Sequence, residues 1–262
     1  MSRVATVNAI VRRDLLRTFR QRSRVVGGLA RPFMWLLLVG TGYNAIARVE
    51  GAVSYQAFAF PGVVVMAALF GGMLTAISTV YDREFGMLRL MLASPSGVPA
   101  LLVGRAVAAT AVGFTQGAVV LAFAPLLIPV GLAEMTVAAA VLLLAALVSS
   151  VVGLLIAAPL RSIENFAGII NVVLFPMLFL SGALYPARHL PLPLHIGARA
   201  NPVTYAVDLM RGAFGQPMEF GVTQSLAVLA AVTIGAFAVA AWLFDPEQRL
   251  HKPSAAPGIA RP

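Results

Sequence analysis

The chain has 262 residues, of which 60% are hydrophobic and 11% charged, with a mean hydropathy of +0.89; a soluble domain carries roughly 25% charged residues, so composition excludes one and selects an integral membrane protein. That length holds about six helical spans of roughly 20 residues and leaves no room for a second folded domain. The net charge of +9 invites nucleic acid as a partner, but eight of the nineteen basic residues fall within 3–31, before the first apolar run, a placement suited to anionic lipid headgroups and topology instead.

Residues 3–24 project onto a helical wheel with Val4, Val7, Val11, Leu15 and Phe19 as one stripe and Arg3, Arg13, Arg17, Arg20 and Arg24 on the opposite arc. That pattern predicts an amphipathic helix lying in the membrane interface. The first span is expected over 26–47, with Arg31 near the inner surface. The second covers 60–80, followed by a polar link over 81–99. A third span over 106–127, a turn near 129–134, a fourth span over 135–158 and a link over 159–165 come next. The fifth is the apolar run 169–183, and the sixth covers 222–244. Three units result: an interfacial helix (1–25), a membrane domain (26–245) and a Pro/Ala-rich disordered cytoplasmic tail (246–262). With the amino terminus inside, the inner segments hold fifteen Lys and Arg and the outer segments four, which puts both termini in the cytoplasm.

The stretch 181–211 is rich in proline and is too apolar for a solvated loop. Asn201 is placed to cap a helix that Pro202 opens, and Thr204, Asp208 and Arg211 follow at helical spacing. Asp208 and Arg211, three apart, are expected to neutralise each other. A short helix with an internally paired charge fits a re-entrant element packed in protein, and an ordered outer loop fits equally well. The architecture expected is therefore all-α and integral to the membrane, with six transmembrane helices, an N-terminal interfacial helix and a re-entrant helical element between helices 5 and 6.

No span is expected to hold an ionisable group at its middle, which speaks against an ion-coupled secondary transporter. ATP hydrolysis through a phosphate loop needs Gly-Lys-Ser or Gly-Lys-Thr, and the sole lysine is Lys252, between His251 and Pro253. Energy must then come from a separate ATPase. Ser181 near His189 and His195 raises an intramembrane serine protease as a further reading, supported by proximity in sequence alone. Cysteine is absent, so there is no thiol chemistry and no cysteine metal site; neither a catalytic nor a metal site is expected.

Two sets of residues resemble the ABC-2-type transporter permeases, and the likeness runs over nearly the full length. The outer set is Ser181, Gly182, Tyr185, Pro186, Asn201, Pro202, Thr204, Tyr205, Asp208 and Arg211, similar to the C-terminal signature of the drug-resistance and polysaccharide or lipid export branch. The inner set is Arg83, Glu84, Phe85, Gly86, Leu88 and Arg89, leading to Ser94-Pro95. It resembles the family's coupling helix, which docks on the nucleotide-binding subunit, although Met87 and Arg89 stand where threonine and an acidic residue are common. On residues alone the segment 81–92 can form a short helix with Phe85, Leu88 and Leu92 as a stripe, flanked by Asp82, Arg83, Glu84 and Arg89, or a polar link closed by the turn at Ser94-Pro95. The resemblance implies a permease of the bacterial plasma membrane that exports a drug, lipid or polysaccharide. It also implies a homodimer, two copies of an ABC ATP-binding subunit carrying ATP and Mg, and a gate formed by the outer set.

Overall fold

The computed structural model describes residues 3–46, 54–92 and 97–249, and among these there is no β-strand. The centre of the molecule is α4 (Tyr55–Thr75), in which all but Gln56 and Leu74 are buried. A helix that is apolar on every side has to be covered by protein all round, and α7 (Gly97–Leu121), α9 (Leu132–Ala157), α12 (Pro202–Ala213) and α2 (Arg22–Met34) supply the cover. Contact is close because small residues meet. A methyl added at Gly113 of α7 would lie 2.8 Å from the Ala68 carbonyl oxygen, and one at Gly153 of α9 would lie 2.8 Å from the Met73 Cα. With no hydrophobic effect between helices in lipid, such close approach carries the packing.

Among the described residues four helices are long and apolar enough to cross a bilayer: Tyr55–Glu84, Val98–Leu127, which takes in the short α8 (Ala124–Leu127), Leu132–Ala157 and Val222–Phe244. They answer to the second, third, fourth and sixth expected spans. The fifth is α10 (Ile163–Phe179), at 17 residues a shorter apolar helix. The first is broken in character: α2 passes through a π-helical segment (Trp35–Val39) into α3 (Gly40–Ile46), with Pro32 inside α2. The hydroxyl of Thr41 donates to the carbonyls of Leu37 and Leu38 in the widened turn, which satisfies carbonyls that the π register displaces.

The amino-terminal helix α1 (Arg3–Arg20) packs one side against the bundle. Its buried positions are Ile10, Asp14 and Thr18, whereas Val4, Leu16 and Phe19 are exposed beside Arg12 and Arg20. The polar side turns inward because the protein offers it a carboxylate. Ile10 presses on Gly104 of α7 and joins Leu88, Leu101, Leu102, Ala158 and Phe244 in a small core that ties one end of the bundle together. The final helix, α13 (Val222–Arg249), continues beyond the expected tail boundary, so residues 246–249 are helical, and the remaining tail lies outside the described residues.

Candidate functional site

The inner link is built by a glycine. α5 (Ile77–Glu84) prolongs α4, Gly86 takes φ +75° where a side chain would be strained, and α6 (Met87–Leu92) begins at once. That reversal splits the expected stripe. Phe85 is 60% exposed and, with Met87 and Tyr81, forms an apolar knuckle, while Leu88 is 2% exposed and belongs to the small core. Tyr81 and Phe85 have ring centroids 4.4 Å apart. Arg83 and Glu84 are occupied within the protein. Arg83 donates to the carbonyls of Ala157 (3.1 Å) and Leu160 (2.5 Å) and lies over the Phe244 ring, closing the end of α9. Glu84 accepts the Ile163 amide (2.9 Å) at the start of α10, where a carboxylate is favoured by the helix dipole. The side chain of Arg89 lies outside those described.

Behind the knuckle sits a cluster the sequence reading missed. Asp82, 4% exposed, accepts from Arg105 and Arg13 at 2.7 Å each and from Arg17 at 3.3 Å. Arg13 also donates to Asp14, through Nε at 3.0 Å and Nη2 at 2.8 Å, and Arg105 reaches Thr79 (3.1 Å) and Ser78 (3.4 Å). Arg17 stacks over Tyr81 at 4.2 Å. Burial works against the charged form of Arg13, but Asp14 and Asp82 outweigh it and its pKa is raised. One carboxylate thus joins α1, α5 and α7 under the exposed knuckle. The sequence held one signal: Asp14 is the only acidic residue among the first 49.

The outer set is brought together around α12. Asn201 accepts the Val203 amide (3.1 Å) as the cap of α12, whose first residue is Pro202, and donates to the Met177 carbonyl (2.6 Å), tying α10 to α12. Thr204 donates to Ala198 (2.7 Å) and Tyr205 to Arg199 (2.8 Å), holding α11 (Leu192–Ala200) against it. Ser181 donates to the Leu178 carbonyl (2.6 Å) and accepts the Ala183 amide, and Gly182 turns the chain with φ +75°. Tyr185 is at the surface and Pro186 leads into a single 3-10 turn, Ala187–His189.

The expected Asp208–Arg211 pair does not form. Asp208 accepts the amides of Glu219 (2.6 Å) and Phe220 (3.1 Å) and the Ser225 hydroxyl (3.4 Å), bracing the approach to α13. Arg211 donates to the Gly182 carbonyl (2.5 Å) and lies 4.3 Å over the Phe58 ring. Backbone groups in turns have no other partner in a buried site, and they claim both side chains. Burial lowers the Arg211 pKa to about 10, with Asp208 and Glu219 opposing the shift, so it remains a cation at neutral pH. The two charges share a recess of about 10 Å³, lined also by Ser181, Thr204 and Phe220, room for about one water. The serine of the protease reading is engaged with backbone, and His195 Nδ1 lies 3.1 Å from the Ala187 carbonyl oxygen. Among the described residues no cluster suits a metal ion.

A bundle of long apolar helices, with a charged knot and an apolar knuckle at one end and a turn cluster at the other, is the architecture of a polytopic membrane protein. The ABC-2 type transporter family matches residues 6–214, and the chain belongs to it, as a membrane permease. Among its relatives are the transport permease ycf38 of Porphyra purpurea, 26% identical over 79% of this chain and 73% of that one. Nodulation protein J of Rhizobium leguminosarum bv. trifolii is 28% identical over 72% and 73%. The inner membrane transport permease YadH of Escherichia coli K12 is 25% identical over 72% and 74%.

Proposed function

We propose that this permease is half of the membrane domain of an ATP-driven exporter that moves an amphiphilic or hydrophobic substrate, a drug, lipid or polysaccharide, out of the cytoplasm or inner leaflet. In this reading it makes six spans in a plasma membrane with both termini inside, pairs with a second copy, and engages two ABC ATP-binding subunits. α1 lies at the inner interface with Leu16, Phe19, Arg12 and Arg20 toward lipid. The outer set, with α11 and α12 entering partway from outside, serves as the gate.

The observation that supports it best is the knuckle of Tyr81, Phe85 and Met87 seated on the Asp82 cluster. Large apolar side chains exposed at a turn are anchors of the kind that dominate small interfaces. A load on them passes into α1 and α7 through a carboxylate bound to three guanidiniums, so a push by the ATPase moves helices rather than bending a loop. Phe85→Ala with Met87→Ala should leave insertion and thermal stability unchanged while reducing ATPase co-purification and transport about tenfold or more, as loss of one or two anchors of over 1 kcal/mol implies. Undiminished co-purification and transport in this double variant would remove the knuckle from the interface.

A further inference from the structure

Arg31 is out of place. The guanidinium carbon lies 4.9 Å from the centroid of the Phe70 ring, and Phe70 is close to the middle of the long helix Tyr55–Glu84. From Asp82 in the inner charge cluster to Phe70 is twelve residues, about 18 Å of helix at about 1.5 Å per residue. From Arg22, where α2 begins, to Arg31 is nine residues, about 14 Å by the same measure. Both rulers place the charge near the centre of a hydrocarbon layer about 30 Å thick, well above the inner surface where the sequence suggested it. Arg31 is exposed on the surface of the chain, and among the described residues no carboxylate lies within ion-pair distance of it.

A second orphan lies beside it. Gln116 of α7 is 5% exposed, and its Oε1 has no hydrogen-bond partner. Its amide is gripped between glycines of two helices: a methyl on Gly28 would lie 2.7 Å from either terminal atom, and one on Gly71 would lie 2.9 Å from Oε1. Gly28 is one helical turn from Arg31, and Gly71 adjoins Phe70. A cation and a bare amide at the same depth are both costly in hydrocarbon, and such groups face a polar pathway or a ligand rather than lipid.

We infer that Arg31 and Gln116 form a recognition point, at mid-depth, for the anionic headgroup of the exported amphiphile: Arg31 supplies the charge-assisted hydrogen bonds and Gln116 Oε1 accepts from a headgroup hydroxyl. Phe70 backs the guanidinium by a cation–π contact and leaves its edge free to bind. This inference rests on the exporter reading and narrows its substrate to anionic amphiphiles such as a phosphate or carboxylate on an alkyl chain.

The test uses dodecyl phosphate and dodecyl maltoside, which share a tail, and the permease in phosphatidylcholine nanodiscs, with Trp35 and Trp242 as fluorescent reporters. Wild type should bind dodecyl phosphate at least about tenfold more tightly than the maltoside, the effect of one charge-assisted hydrogen bond. Arg31→Gln should erase the preference without changing maltoside binding, Arg31→Lys should keep most of it, and Gln116→Leu should reduce it several-fold. Should Arg31→Gln fail to insert, the Lys and Gln116→Leu variants decide. No headgroup preference in wild type, a preference that survives removal of the cation, or one unchanged by removal of the amide overturns the inference. With the ATPase present, dodecyl phosphate should stimulate hydrolysis. Displacement by phosphatidylglycerol without stimulation would assign the site to a structural lipid and overturn the substrate role. Intact headgroup preference with no ATP-driven movement of any amphiphile would instead refute the exporter reading.

Discussion

Removing the charge at Asp82 should be the most damaging single change in the inner half of the protein. Asp82→Asn keeps the shape of the side chain but leaves three guanidiniums with one fewer carboxylate and turns an amide N–H₂ toward one of them. The partners are not equal. The Arg105 side chain is 1% exposed and keeps only the more distant charge of Asp14 and the hydroxyls of Thr79 and Ser78, so its loss approaches that of a broken buried pair, at most about 3–5 kcal/mol. The Arg13 and Arg17 side chains are 35% and 29% exposed and can turn to water, which limits each to the range of surface pairs, about 0–1 kcal/mol. The expected loss is thus set by Arg105, and neutralising that residue as well should recover much of it. Reversible unfolding in mixed micelles, followed by the fluorescence of Trp35 and Trp242, gives the cycle Asp82→Asn, Arg105→Gln and the two combined. The double variant should be clearly less damaged than the sum of the singles. A loss below about 1 kcal/mol for Asp82→Asn, with additive effects, would mean that the cluster is hydrated and carries no load between α1, α5 and α7.

Two further outcomes are expected at the outer end. Gly62→Ala puts a methyl 2.5 Å from the Cβ and 2.6 Å from the Cα of Ala183, an overlap with backbone that should cost about 1–3 kcal/mol in the same unfolding assay; an unchanged midpoint would show that the outer stretch is not held against α4. Asp208→Asn and Arg211→Gln should each destabilise by about 1–3 kcal/mol through unsatisfied backbone groups, with a coupling energy small beside the single losses, because the two side chains bind different carbonyls and amides; a coupling as large as either single effect would restore a direct pair.

Most of the helical order was legible because it is written in long apolar runs interrupted by glycine, proline and charge. Residues 60–80, 106–127, 135–158 and 222–244 each fall within or along an observed long helix. The cap of α12 at Asn201-Pro202 was equally plain, since capping is local chemistry with a short signature. What sequence could not carry was partner choice across distance. A helical wheel puts Arg3, Arg13, Arg17, Arg20 and Arg24 on one arc opposite the apolar stripe because it counts residues, not partners. Asp82, sixty-eight positions beyond Asp14, pulls two of them inward. The stripe through Phe85 and Leu88 failed for a different reason: Gly86 has a positive φ, and a wheel drawn through it assumes a helix that has already ended.

The placement of Arg31 joins these lessons to transport. Counting from the first apolar residue locates the bilayer by composition and leaves Arg31 at its edge; counting from Asp82, where buried carboxylate and guanidiniums meet, moves the same residue to the interior. The second ruler is the better one, because a knot of three arginines and two carboxylates at one end of the bundle is held out of hydrocarbon by its own charge, whereas apolar residues begin wherever helix packing needs them. By that ruler the first span is the exceptional one. It combines a proline with a π segment, and it carries Arg31, which lies over Phe70 and among the described residues has no carboxylate within ion-pair distance. Helical irregularity and unpaired charge each cost stability, and their coincidence on one span beside an unpartnered amide makes that face, rather than the smoother helices around α4, the place where a polar headgroup would be met.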